Sequence, residues 1–120
     1  ATLQVDRELL TLALRQVLDN ALKYSEPDSV ISCKTKMSSG ELTLRVEDQG
    51  PGVPEQDRQR IFEKFYRRAS TRDQVPGTGL GLHIAREITR IHGGDLWVEG
   101  ATPQGAAFCF RLPLRGGGTE

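Results

Sequence analysis

The sequence predicts an α+β fold, a two-layer sandwich in which one mixed, mostly antiparallel sheet of about five strands carries about three helices on one face. Three observations predict it. Two long stretches repeat apolar residues every three or four positions. Two pairs of shorter stretches alternate apolar and polar residues across turn signals. A loop rich in glycine, proline and arginine separates the two halves. The order helix, hairpin, loop, helix, hairpin is satisfied most simply by one sheet with its helices on the same side.

Each element has its own warrant. Residues 2–5 read as a short strand. Asp6 is a suitable N-cap for a helix starting near Arg7, and Leu10, Leu14, Val17, Leu18 and Ala21 give it an apolar stripe to about Tyr24. Pro27 follows as a stop signal. Ile31, Cys33, Thr35 and Met37 then share one face of a strand, with Ser32, Lys34 and Lys36 on the other. After the turn Ser38-Ser39-Gly40, Leu42, Leu44 and Val46 point inward from its partner. Ile61, Phe62 and Phe65 mark a short helical turn, and residues 68–77 are polar, basic and irregular. Leu80, Ile84, Ile88 and Ile91 define a second helix, ended by Gly93 and Gly94. Two closing strands, 95–100 and 105–114, are joined by a turn at 102–105. The chain reads as one domain, 1–115, with a flexible tail at 116–120.

Bulk composition excludes more than it assigns. Sixteen basic residues balance sixteen acidic ones, so global charge points neither to nucleic acid nor to an anionic membrane. No apolar run approaches the roughly 20 residues of a spanning helix. Cys33 and Cys109 lack metal-type spacing and read as reduced, buried thiols.

Three clusters carry candidate chemistry. Gln16, Asn20 and Lys23 fall on one face of the first helix. They are either ordinary surface or a site in which the Asn20 amide oxygen meets a hydrated Mg²⁺ and the Lys23 ammonium meets a phosphate. Asp48 has the parity of Leu42, Leu44 and Val46, so its carboxylate points into the apolar layer. Such an acceptor needs a donor. It either turns to solvent or caps the following turn, or it receives the exocyclic amine of an adenine, with Gly50 and Gly52 allowing close approach to a flat base. Gly77, Thr78, Gly79, Leu80, Gly81 and Leu82 open the second helix. Their glycines either permit a tight turn or present backbone N–H groups to phosphates at a helix N-terminus. The pattern is not the dinucleotide fingerprint, because no strand precedes it and Leu82 takes the last glycine's place, nor is it a P-loop.

With these residues in view, the chain resembles the catalytic ATP-binding domain of a bacterial two-component sensor histidine kinase, in the wider gyrase, chaperone, histidine kinase and mismatch-repair ATPase superfamily. LRQVLDNALKYS is similar to its N box, VEDQGPGVP to its G1 box, RIFEKFYRR to its F box and GTGLGLHIAREI to its G2 box. The resemblance implies the Bergerat ATP-binding fold, ATP and Mg²⁺ as ligands, and a role for each matching residue. Asn20 would ligate Mg²⁺, Lys23 would contact phosphate and Tyr24 would flank the nucleotide. Asp48 would take the adenine amine, with Gly50, Gly52 and Val53 lining the base. Phe62 and Phe65 would anchor a lid, Arg67 would approach the terminal phosphate, and Gly77 to Leu82 would wrap the phosphates. Gln16 stands where most histidine kinases have an asparagine and hydrolytic relatives a glutamate, so it cannot act as a general base. Ala107 stands where a threonine often holds a water beside the adenine. The implied partners are a dimerisation and histidine-phosphotransfer domain of the same protein and a cognate response regulator, with no nucleic acid and no direct membrane contact. The implied setting is the cytoplasmic part of a membrane-anchored sensor. His83 and His92 read as structural, so the phosphoacceptor histidine would lie elsewhere.

Overall fold

The computed structural model describes residues 4–66, 80–101 and 104–114. Helix α1 (Arg7–Tyr24) is followed by strands β1 (Ser32–Ser38) and β2 (Glu41–Glu47). Two single 3-10 turns (Glu55–Asp57 and Arg60–Phe62), helix α2 (Gly81–Ile91) and strands β3 (Asp95–Gly100) and β4 (Ala106–Pro113) complete it. The strands form one sheet in the order β1-β2-β4-β3, and every pairing is antiparallel. The α+β sandwich is therefore as the sequence predicts. Of the strands expected, four form among the described residues, and no parallel pair joins them. The candidate strand at 2–5 is outside the described residues up to position 3, and Gln4 and Val5 simply lead into α1.

Local chemistry sets the boundaries. The Asp6 side chain accepts the Leu9 N–H at 3.0 Å, an N-cap as the sequence suggests. Ser25 leaves the helical conformation but still donates its N–H to the Ala21 carbonyl. The β1–β2 hairpin closes on Ser39 and Gly40, both with positive φ, which gives the twist a two-residue turn needs. At the other end of the sheet, β4 lies between β2 and β3, and Ala106 to Phe110 are all buried.

The core lies between the inner face of the sheet and the two helices. Val46, Leu96, Val98, Phe108 and Phe110 meet Ala13, Val17 and Ala21 of α1 and Ala85 and Ile88 of α2. The α1 stripe is made of small residues, which lets that helix rest closely on α2. Leu18 and Ile91, expected on the apolar stripes, lie more outward and are exposed. Cys109 is buried as expected, but Cys33 is exposed, because β1 is an edge strand that no helix covers.

The outer face of the sheet is held by charge. Arg45 bonds Glu47 and Glu99 through its guanidinium, and Trp97 donates its indole N–H to Glu99 at 2.8 Å. The Cys109 thiol lies beneath Arg45, and burial pushes its pKa up to about 11. The bond from Arg45 holds Glu47 below the usual carboxylate range, and those from Trp97 and Arg45 do the same for Glu99. At Asp95, desolvation works in the opposite direction, but the Leu96 N–H and the guanidiniums of Arg90 and Arg86 outweigh it. These three acids bind protons less readily folded than unfolded. Their contribution to stability is therefore complete above the ordinary carboxylate range, about pH 4, and is lost as pH falls through their depressed values. Urea unfolding followed from pH 7 to pH 3 should show stability falling in that acid window, and an E99Q variant should show a shallower fall.

Candidate functional site

At the end of β2 the chain reaches Asp48, which is only 2% exposed. Its parity with Val46 turns the carboxylate to the helix side of the sheet, as the alternation predicts. Oδ1 is held by two backbone donors, the N–H of Gly50 at 2.9 Å and that of Ala106 at 3.1 Å. The Asp48 N–H itself donates to the Ala106 carbonyl. Oδ2 is buried and has no hydrogen-bond partner among the described residues. An acceptor-only group with one oxygen fixed and the other unsatisfied is a costly arrangement unless something donates to it.

The surroundings fix that carboxylate by close backbone approach. A Cβ on Gly50 would overlap the Tyr24 carbonyl at the end of α1, and one on Gly105 would overlap the Asp48 carbonyl. Gly105 also has φ +110°, a conformation that glycine adopts without strain. Gly52 has φ +79°, and a Cβ there would lie 3.0 Å from the Gly105 carbonyl oxygen. Val53 follows, 5% exposed, and its carbonyl accepts from Arg58 at 3.1 Å. Ser25, next to Tyr24, carries the other buried side-chain oxygen without a partner among the described residues.

The end of α1 adjoins the Gly50 turn through the Tyr24 carbonyl. Asn20 and Tyr24 are half-buried and Lys23 is exposed in the last turn. Gln16 reaches across to α2, where a Cβ at Gly81 would lie 2.5 Å from its Oε1. Gly81 and Leu82 form the first turn of α2, and no side chain caps that turn. Asp48, Gly50, Gly52 and Val53 are thus brought together around one carboxylate, while Gln16 joins the start of α2. Arg67, Gly77, Thr78 and Gly79 lie outside the described residues, as do Arg68 and Arg72. Among the described residues there is no cluster of three or more His, Cys, Asp or Glu side chains suited to a metal.

Two expectations change. Phe62 is buried, packs edge-on against Phe108 at 6.3 Å and lies under the Arg86 guanidinium at 4.7 Å. Phe65 is 67% exposed with φ +65°, so it lies outside the core, and the lid it was expected to anchor falls outside the described residues. Ala107, expected beside the base, pairs with Glu47 and Glu99 on the outer face of the sheet. The residue that shares the face of Asp48 is Ala106, because Asp48 faces its neighbour one position along β4.

Sequence and structure comparisons identify the family and the fold. The family model described as histidine kinase-, DNA gyrase B- and HSP90-like ATPase matches residues 5–116. The chain belongs to that family. Its relatives are sensor histidine kinases, and its place among them is that of the catalytic ATP-binding domain. It is 36% identical over 116 residues to the sensor histidine kinase WalK of Bacillus subtilis, covering 93% of this chain and 19% of that protein. It is 41% identical over 111 residues to the histidine-protein kinase/phosphatase MprB of a Mycobacterium species, covering 88% and 21%. A solved mycobacterial sensor histidine kinase MprB superposes with TM-score 0.88 at 38% identity over 96% of this chain and 78% of that one. Full-length ShkA in complex with AMPPNP gives TM-score 0.70 at 34% identity, over 88% and 22%. The chain thus spans about a fifth of the curated relatives named here.

The domain's backbone contacts give one stability prediction. A Gly50→Ala substitution must displace the Tyr24 carbonyl, and should cost about 1–3 kcal/mol. Urea unfolding of the variant checks it, and stability equal to the parent's would show that the contact yields readily.

Proposed function

We propose that this domain binds Mg·ATP and delivers its γ-phosphoryl group to a histidine on a separate dimerisation domain, as one half of a two-component sensor kinase. The observation that carries the reading is the buried, unpartnered Oδ2 of Asp48. An amino group on a flat heterocycle supplies the donor this atom lacks, and the close backbone packing at Gly50 and Gly105 holds the carboxylate in place to receive it. The residues therefore fit a purine with an exocyclic amine.

The rest of the pocket supports the same assignment. Asn20 would give its amide oxygen to the metal ion. Magnesium commonly takes one or two protein oxygens and completes its shell with water and phosphate, so a triad of acids is not needed. Lys23 and the first-turn N–H groups of Gly81 and Leu82 would hold phosphate oxygens, with Arg67, Gly77, Thr78, Gly79 and Leu80 completing that cradle. Tyr24 and Val53 would bracket the base. The bound metal and nucleotide together supply a phosphoryl group whose negative charge is partly neutralised. Gln16 carries no group that can take a proton from water, which suits transfer to a protein acceptor rather than hydrolysis.

The acceptor would come from another domain. The His83 Nδ1 meets the Phe62 carbonyl at 3.2 Å, and both nitrogens of His92 are engaged, so each imidazole has a structural partner. The phosphoryl group would then pass to a cognate response regulator, in the cytoplasmic part of a membrane-anchored sensor.

Calorimetry with Mg·ATP tests the reading, and absence of binding at millimolar nucleotide would leave the fold without this function. Asp48→Asn should lower ATP affinity by about 1.5–3 kcal/mol, the worth of a hydrogen bond to a charged group, and should narrow the preference for ATP over GTP. Asn20→Ala should weaken Mg·ATP binding while leaving metal-free nucleotide binding nearly unchanged. Equal loss in both conditions would remove the metal role.

A further inference from the structure

His92 ends α2, far from the base pocket, and its ring is engaged on both sides. Its Nδ1 lies 2.8 Å from the Ile88 carbonyl, which can only accept, so Nδ1 carries the proton. Its Nε2 lies 2.8 Å from the Asp6 backbone nitrogen, which can only donate, so Nε2 carries the lone pair. The two contacts together define one neutral tautomer. They also join residues 86 positions apart, the N-cap of α1 and the C-cap of α2.

We propose that His92 is a positioning residue, a proton-sensitive clasp that sets the pose of α1 against α2. In the reading given above, Asn20 and Lys23 on α1 and Gly81 and Leu82 on α2 would hold the same ligand from two sides. A shift of one helix along the other changes the distance between those two sides. Among the described residues, the small side chains Ala13, Val17, Ala21 and Ala85 at the helix contact are wholly buried but offer no directional lock. The hydrogen bond from Asp6 to His92 does. Protonation turns Nε2 from acceptor to donor and sets two N–H groups against each other, so the clasp opens.

Charged groups on every adjoining element are engaged elsewhere in part. Asp6 uses Oδ1 to cap the Leu9 N–H. Arg90 of α2 pairs with Asp95 of β3, and Arg111 of β4 pairs with Glu41. With these charges engaged elsewhere, a protonated Nε2 has no lone pair to accept the Asp6 N–H, and the registry between helices is what is lost.

The inference on nucleotide affinity rests on the reading of the pocket given above; the clasp itself does not. In nitrogen-15 spectra of the whole domain, His92 should be the Nδ1–H tautomer at neutral pH. The Asp6 amide signal should then move together with the signals of the His92 ring when the sample is acidified. Mg·ATP affinity should fall about fivefold in His92→Phe, the worth of one hydrogen bond, and stay close to the parent in His92→Gln, whose amide oxygen can accept from Asp6. The Gln variant should also lose the acid sensitivity that the parent shows. An Asp6 amide that ignores the His92 titration would overturn the clasp, whether or not either variant folds. A coupled titration with no change in affinity for Phe would overturn its link to the pocket. Absence of nucleotide binding by the parent would instead count against the pocket and leave the spectroscopic result to decide the clasp.

Discussion

The structure is organised around one buried carboxylate. Asp48 sits where β2 leaves the sheet, and two backbone N–H groups hold its Oδ1. That single interaction ties the Gly50 turn to the start of β4. It demands that Gly105 and Gly50 carry no side chain, because the Asp48 and Tyr24 carbonyls occupy the space a Cβ would need. It also leaves Oδ2 buried with no hydrogen-bond partner among the described residues. A chain seeking only stability would place an apolar residue there, since an unpaired buried acceptor is costly. The cost becomes reasonable when a ligand supplies the missing donor.

The scaffold around this acid divides the work between its layers. The outer face of the sheet is held by hydrogen-bonded charges, Arg45 with Glu47 and Glu99, and by the Trp97 indole. The inner face supplies the apolar floor through Val46, Phe108 and Phe110. The helices stand on that floor and carry the polar groups proposed to hold metal and phosphate. Phe62, buried against Phe108 and covered by Arg86, fixes the chain between the β2 turn and α2 to the same floor.

Much of this was legible in the sequence, because it follows from periods. The α1 stripe, its Asp6 cap, the hairpin turn and the inward direction of Asp48 all depend on local spacing. The failures share a cause as well. Ala107 was assigned to the pocket by resemblance, and only the strand register shows that Ala106 faces Asp48 while Ala107 faces outward. Phe65 fits an apolar pattern, but its positive φ carries it out of the core. Cys33 alternates correctly, yet burial requires a covering helix, and β1 lies at the uncovered edge. The partner of His92 was invisible because its donor is a backbone N–H at the other end of the chain, and backbone groups leave no residue-type signal.

The edge position of β1 has a further consequence. Its outer backbone groups could template another strand, as at any open sheet edge. Lys34 and Lys36 stand on alternate positions there, and β1 is exposed along nearly its whole length. Antiparallel stacking of two such edges would set ammonium groups opposite one another and gain little apolar contact in return. The same lysines that contribute nothing to the core thereby discourage self-association through this edge, and keep the sheet from growing beyond its own strands.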